Sequence, residues 1–316
     1  MNNKYRFSEV VSVCSENVHP VRDCVFTKTA LIDKEHDQNR TCITYLTRSS
    51  YIKSLLSGEF AGVICTPDLS EAVRDCFDGG ILVSEHPRTA FFEIHNVIYT
   101  KAELPDSFID ETALVAEDAK IAPKGVRIGS GCVIGSGAVI KENVTIGADC
   151  MIMENCIIGA PAFYYYGEGD SLSPVQAGCG VVIGDRVSLH AAAVIQAGVF
   201  RPTFIDNNVK ISNGVHVSHD VRIGKNCLLP AGVTLAGLST LEENCSLGVG
   251  VTIVPAVTVG HGAKLSAGAV VTEQVPPGTT YFGSFAIRQA DYMARIKNIC
   301  EKRQKENEEV HGNEKQ

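Results

Sequence analysis

The sequence predicts a mainly β chain: a parallel β-helix of stacked three-strand coils, preceded by a small α/β domain and followed by an α-helix. Three observations carry this reading. Stepping by six from Ile205 to Val271 meets twelve aliphatic residues in a row, a run whose chance frequency at 45% hydrophobic content is on the order of 10⁻⁴. The position four residues after each anchor is small or β-branched, as at Val209, Val215, Cys227, Ser239 and Ala263. Earlier runs repeat the rhythm, from Ile128 to Ile158 and through Ile183, Leu189 and Ile195, with Ile121 and Val115 extending the first backwards. One aliphatic anchor per six residues means a short flat strand and then a corner. Three such units make a coil of about 18 residues whose anchors stack in one column.

The elements follow in order. Residues 1–104 lack the six-residue rhythm. Within them, 61–65 and 80–83 read as short buried strands, and Ser70 to Phe77 reads as a helix capped by Ser70. Pro87 to Tyr99 carries Ala90, Phe91, Ile94, Val97 and Ile98 on one helical face. The joint falls at Pro105 to Phe108, and the β-helix domain runs over 105–276. Two segments leave its rhythm, 159–181 and 199–204. The first contains Phe163-Tyr164-Tyr165-Tyr166, which reads equally as a binding loop or as a cover for the prism. The segment TEQVPPGTTYFG ends the prism, and 277–316 is a C-terminal helix and tail.

Composition excludes several classes. The chain has 28 basic and 36 acidic residues, a net charge of −8, which argues against a general nucleic-acid binder. No apolar run is long enough to span a membrane. The N-terminus MNNKYRFSEV has no apolar stretch of a secretory signal. Twelve Cys in that setting read as reduced thiols and point to the cytoplasm. Cys132 and Cys150, like Cys227 and Cys245, are one full coil apart at the small inward position, so each pair should stack on adjacent coils as core thiols. No metal is expected, because His216 and His219 are three apart and positions one coil away carry no third His.

Longer motifs narrow the reading. The stretches ITYLTRSSYIKSLL at 43–56, AGVICTPDL at 61–69, IIGAPAFYYY at 157–166, VVIGDRVSLHAAAVI at 181–195 and VKISNGVHVSHDVRIG at 209–224 run through nearly the whole chain. In these the chain resembles the UDP-3-O-acylglucosamine N-acyltransferases of the lipid A pathway, which are hexapeptide-repeat enzymes. The resemblance implies a left-handed prism, a hand opposite to the general crossover rule. It implies transfer of a 3-hydroxyacyl group from acyl carrier protein to the amine of a UDP-linked sugar, with no bound cofactor. The acyl group rides on phosphopantetheine, of the carrier protein or of coenzyme A. It also implies a homotrimer with active sites between subunits, which suits a prism that offers flat faces and no pocket of its own.

Amide formation from a thioester needs a base near neutral pKa, a fixed donor for the oxyanion, and two aligned substrates. His219 sits at a corner two residues after anchor Val217, pointing outward, and GVHVSHDVRIG matches the family's base on it. Gly237 lies one full coil further on, at the same corner, where its N–H can meet a thioester oxygen. The resemblance places the family's oxyanion donor on the same residue. The family orients its base with an Asp seven residues earlier. Here that position is Ser212, so Ser212, Asn213 and Asp220 are the candidates for orienting His219. The family's second His falls near Ala256, and His261 should lie at another corner. The resemblance places the uracil-stacking aromatics on Tyr45 and Tyr51, and Arg48 stands where the family has Asn. In the C-terminal helix, 286–305, six basic residues outnumber two acidic ones. Arg288, Arg295, Lys297, Lys302 and Arg303 are candidates for docking an acidic carrier protein. The alternatives are a coenzyme-A-dependent N-acyltransferase acting on a nucleotide-linked deoxyamino sugar for surface polysaccharide, and a β-helix scaffold without activity.

Overall fold

The computed structural model describes residues 3–15, 17–32, 40–100, 103–167 and 169–283, together with residues 288, 289, 293 and 297. Three parallel sheets of 8, 8 and 9 strands among these residues form a prism. Each strand is two to four residues long and pairs with the strand one coil on, as in Ile195↔Val217↔Leu235↔Ile253. Together with the hexapeptide pattern this is the left-handed parallel β-helix.

The physical reason is the alternation of a flat strand with a tight corner. All twelve anchors from Ile205 to Val271 are buried, and so are the small residues four positions after them. They form one continuous core column. Corners need a left-handed backbone, which Gly and Asn adopt at low cost. Gly232 (φ 69°), Asn226 (φ 62°) and Asn244 (φ 61°) sit there. Asn208, Asn226 and Asn244 stack at one corner, each amide donating to the next at 3.0 Å. Cys132/Cys150 and Cys227/Cys245 stack on adjacent coils as buried free thiols. At the first coil the column frays: Ile121 is half-buried and Val115 exposed.

One core position departs from the pattern. Ser239 is buried and its hydroxyl has no hydrogen-bond partner among the described residues. An unpaired buried hydroxyl costs about 1–3 kcal/mol. Ser239→Ala is therefore expected to leave stability unchanged or raise it by about 1 kcal/mol, in contrast to an ordinary core truncation. Chemical denaturation of the two proteins checks this, and a clear loss of stability would show a hidden partner for the hydroxyl.

The N-terminal part is an α/β unit. Its sheet runs His19–Arg22, Gly80–Val83, Gly62–Cys65, Cys42–Leu46 and Lys28–Thr29, parallel except for the first strand. The helix Pro87–Thr100 buries Phe91, Ile94 and Ile98 on one face of this sheet, and Leu55, Phe60 and Val73 fill the other. The expected Ser70 cap is corrected. A 3₁₀ turn, Pro67–Leu69, leads straight into the helix Ser70–Cys76, so Ser70 already has helical geometry and caps nothing. The prism also runs further than expected. Thr280–Tyr281 pairs with Lys264–Leu265, adding a strand within the segment assigned to the C-terminal region. The expected helix over 286–305 and the tail lie outside the described residues, apart from four isolated positions. No described helix is long and apolar enough to cross a membrane.

Candidate active site

The strand His216–Val217 places His219 at a corner two residues on. The column of residues at this corner is set by register: Ala197 and Gly237 occupy the coils before and after. A Cβ added at Gly237 would lie 2.6 Å from Nε2 and Cε1 of His219. The one-coil spacing thus brings Gly237 directly against the imidazole. The His219 side chain does not stand free in solvent, however. It is 11% exposed, because the segment 159–181 folds back over it and sets the Tyr164 ring edge-on at 5.2 Å.

Asp220 orients the ring. His219 Nδ1–H donates to Asp220 Oδ2 at 2.7 Å, which leaves Nε2 with its lone pair facing the Gly237 side. The carboxylate is fully buried and is held from below by the insertion at 199–204. The backbone N–H groups of Val199, Phe200 and Arg201 donate to it at 3.2, 2.8 and 2.8 Å. Asp220 N–H in turn donates to Thr203 Oγ1 at 3.0 Å, in a left-handed corner (φ 60°) that Asp tolerates. His219 N–H donates to Gln196 Oε1 at 3.2 Å. Of the three orienting candidates the fold therefore selects Asp220. Ser212 and Asn213 sit at the corner that follows Lys210–Ile211, on a different sheet one strand earlier, and do not reach His219. His261 lies at yet another corner, after Thr258–Val259, with its N–H on Glu242.

A cavity of about 310 Å³ opens at the carboxyl ends of the parallel strands of the N-terminal sheet, and Tyr164, the ring edge-on to His219, belongs to its lining. It gathers Tyr45, Arg48 and Tyr51, with Tyr164 as its inner wall. The lining of this cavity comes from the N-terminal sheet and the 159–181 segment of one chain. Tyr164 was not singled out in the sequence. The signal was there in the alternation of Phe163 to Tyr166: Phe163 is 81% exposed, while Tyr164 turns inward onto Phe92 and Phe200. Burial pushes the Tyr164 phenol up.

His95 ties these layers together. Its Nε2–H donates to the Gln176 carbonyl at 2.9 Å, and its Nδ1 accepts from the Thr29 hydroxyl at 2.5 Å. Burial lowers its pKa to about 4. The neutral ring is then the folded form, so its contribution to stability is present above the unfolded pKa near 6.5 and is lost as pH falls from 6.5 towards 4. The difference amounts to roughly 3 kcal/mol. A His95→Gln variant is expected to show a flatter loss of stability over that window, read by thermal unfolding at several pH values. An identical pH profile would remove His95 from the account.

Arg288 and Lys297 are exposed, while Arg295, Lys302 and Arg303 lie outside the described residues.

Comparison with known proteins agrees with this architecture. The family "Bacterial transferase hexapeptide (six repeats)" matches residues 202–237, and "Hexapeptide repeat of succinyl-transferase" matches 119–142 and 240–273. A UDP-3-O-acylglucosamine N-acyltransferase of Caulobacter vibrioides is 49% identical over 57 residues, 18% of this chain and 17% of that protein. The enzyme of the same name from Pseudomonas savastanoi pv. phaseolicola is 28% identical over 62% of each chain. The solved UDP-N-acetylglucosamine acyltransferase from Campylobacter jejuni is 26% identical, over 57% of this chain and 71% of its own, with a TM-score of 0.47. The chain spans less than two thirds of the length of the curated relatives it matches. The chain carries hexapeptide repeats on a three-sheet prism and is similar in sequence to the UDP-3-O-acylglucosamine N-acyltransferases.

Proposed function

We propose that the protein is an N-acyltransferase of the lipid A type. It moves an acyl group of the 3-hydroxyacyl class from a carrier-protein thioester to the amine of a UDP-linked amino sugar. The observation that carries the reading is the His219–Asp220 dyad, with Gly237 against its imidazole and with Tyr164 linking it to the cavity lined by Tyr45, Arg48 and Tyr51. His219 Nε2 takes the proton as the sugar nitrogen attacks the thioester carbonyl. Asp220 holds the resulting imidazolium. The Gly237 N–H serves the oxyanion. Collapse breaks the C–S bond, and the proton leaves with the thiol. No bound cofactor is needed, since the donor brings its own phosphopantetheine.

Tyr45 and Tyr51 hold the uracil by stacking, a contact class worth about 1–3 kcal/mol per base. Tyr51 is 37% exposed and lines a cavity that neither His219 nor Asp220 lines, so Tyr51→Ala is expected to raise the KM for the nucleotide sugar about tenfold or more with little change in kcat. Steady-state kinetics decide it; a stability loss at constant KM would make the tyrosine structural. The reading includes a homotrimer in the cytoplasm and a carrier protein drawn to the basic segment 286–305.

The test is a thioester-consumption assay on a panel of UDP- and dTDP-amino sugars. The same acyl group is presented on carrier protein and on coenzyme A, at low and high salt. Preference for carrier protein that weakens with salt, together with preference for UDP, is expected. Equal or better rates with coenzyme A overturn the carrier-protein part, and the absence of turnover with every amino sugar overturns the whole.

A further inference from the structure

The corner that carries the dyad breaks a rule its neighbours keep. One coil on, Leu238 (φ 66°) donates its N–H to the His219 carbonyl at 3.0 Å. Two coils on, Ala256 (φ 61°) donates to the Gly237 carbonyl at 3.0 Å. Asp220 (φ 60°) is the same corner position, so by this rule its N–H belongs to the carbonyl of Ala197. It goes to the Thr203 hydroxyl oxygen instead, at 3.0 Å. The cause is local. The antiparallel bridge between Gly180 and Gly198 turns the chain out of the parallel ladder just after Ala197, and the backbone acceptor is lost with it.

The N–H of His219 departs as well. The matching N–H one coil on, that of Gly237, makes no hydrogen bond among the described residues. That of His219 is closed by Gln196 Oε1 at 3.2 Å. Both side chains are buried, and both sit on strands of the prism. Gln196 ends the strand Val194–Gln196, and Thr203 begins the strand Thr203–Ile205, which pairs with Val181–Ile183. Thus the two consecutive peptide groups of the dyad hang from two side chains. These flank the turn whose Val199, Phe200 and Arg201 N–H groups hold the Asp220 carboxylate.

We infer that Gln196 and Thr203 are positioning residues of the dyad. They touch neither the imidazole nor the carboxylate. They fix the two peptide units from which those groups project, and so aim Nε2 at Gly237. Supporting hydrogen bonds of this kind hold a reacting group within a fraction of an ångström of its working place. A tilt of the corner that moves Nε2 by about 1 Å costs on the order of a hundredfold in rate. The inference rests on the acyltransferase reading above.

The experiment uses Thr203→Val, which keeps the shape and removes the acceptor, and Thr203→Ser, which restores it. Gln196→Met keeps the length of the side chain without the acceptor. Thr203→Ala and Gln196→Leu stand in should Val or Met fail to fold. Steady-state thioester consumption is measured for each. Loss of either acceptor is expected to lower kcat about tenfold or more, with the KM for both substrates unchanged, and Thr203→Ser is expected to stay close to wild type. A second readout needs no turnover. In protein labelled with ¹⁵N-histidine, the His219 Nδ1 resonance is assigned among the nine histidines by its absence from His219→Ala. It is expected to shift in the Val and Met variants and to keep its place in Thr203→Ser. Each residue stands or falls by its own variant. Wild-type kcat, an unmoved His219 resonance, or a Ser variant as impaired as Val overturns the assignment while leaving the acyltransferase reading in place. If wild type consumes no thioester with any amino sugar, that reading fails, and the resonance still decides whether the two side chains place the imidazole.

Discussion

Replacing His219 with alanine is expected to lower turnover by two or more orders of magnitude while leaving the prism folded, since loss of a general base costs about 10²–10⁴. The fold has little to lose at this position. His219 is at a corner, outside the core column, and the anchor that holds the coil is Val217. Circular dichroism and sedimentation establish that the variant is intact, and thioester consumption measures the loss. Near-normal turnover in a well-folded variant would falsify the assignment of the base.

The second large effect is expected from a single methyl group. Gly237→Ala places a Cβ 2.6 Å from the His219 ring, closer than real contacts allow. The backbone at Gly237 is not in the left-handed region, unlike that of its neighbour Leu238 (φ 66°), so alanine itself is tolerated there. The imidazole must therefore move, and it cannot do so without lengthening its 2.7 Å bond to Asp220. A displacement of about 1 Å at the reacting groups costs on the order of a hundredfold in rate. Turnover is expected to fall by that factor with little change in melting temperature. A variant with wild-type kinetics would mean that neither the ring position nor the space over it matters.

Much of this site could be read from the sequence, and what could not has a physical cause. The anchor rhythm determines which residues point inward and which share a corner, because each coil repeats the one before. Counting one full coil on from His219 therefore reaches Gly237 without any structure. Asp220 is another matter. Its neighbour in sequence made it one candidate among three, but what selects it is the turn at 199–201, where three successive N–H groups converge on its carboxylate. That turn is an interruption of the repeat, and periodicity carries no information about the shape of an interruption. Tyr164 was obscured in the same way. Its direction follows from the strand alternation of a hairpin rather than from the six-residue rhythm around it. The Ser70 cap failed for a local reason, since Pro67 starts a helical turn earlier than the apolar pattern does.

The insertion at 199–204 has a wider consequence. Its Phe200 packs against Phe91, Phe92 and His95 of the N-terminal helix, and Tyr45 of the cleft packs on the same Phe91 at 5.0 Å. The backbone of that same Phe200 donates to Asp220. Whatever settles the helix against the prism therefore also settles the carboxylate that aims the base. On the acyltransferase function proposed above, the nucleotide end and the acyl end of the site are thus two ends of one lever. Thermodynamic reciprocity then ties their occupancies: if a nucleotide in the cleft tightens the grip on the donor by some factor, the donor tightens the grip on the nucleotide by that same factor. An ordered sequence of substrate binding can arise from this linkage alone, without a moving lid.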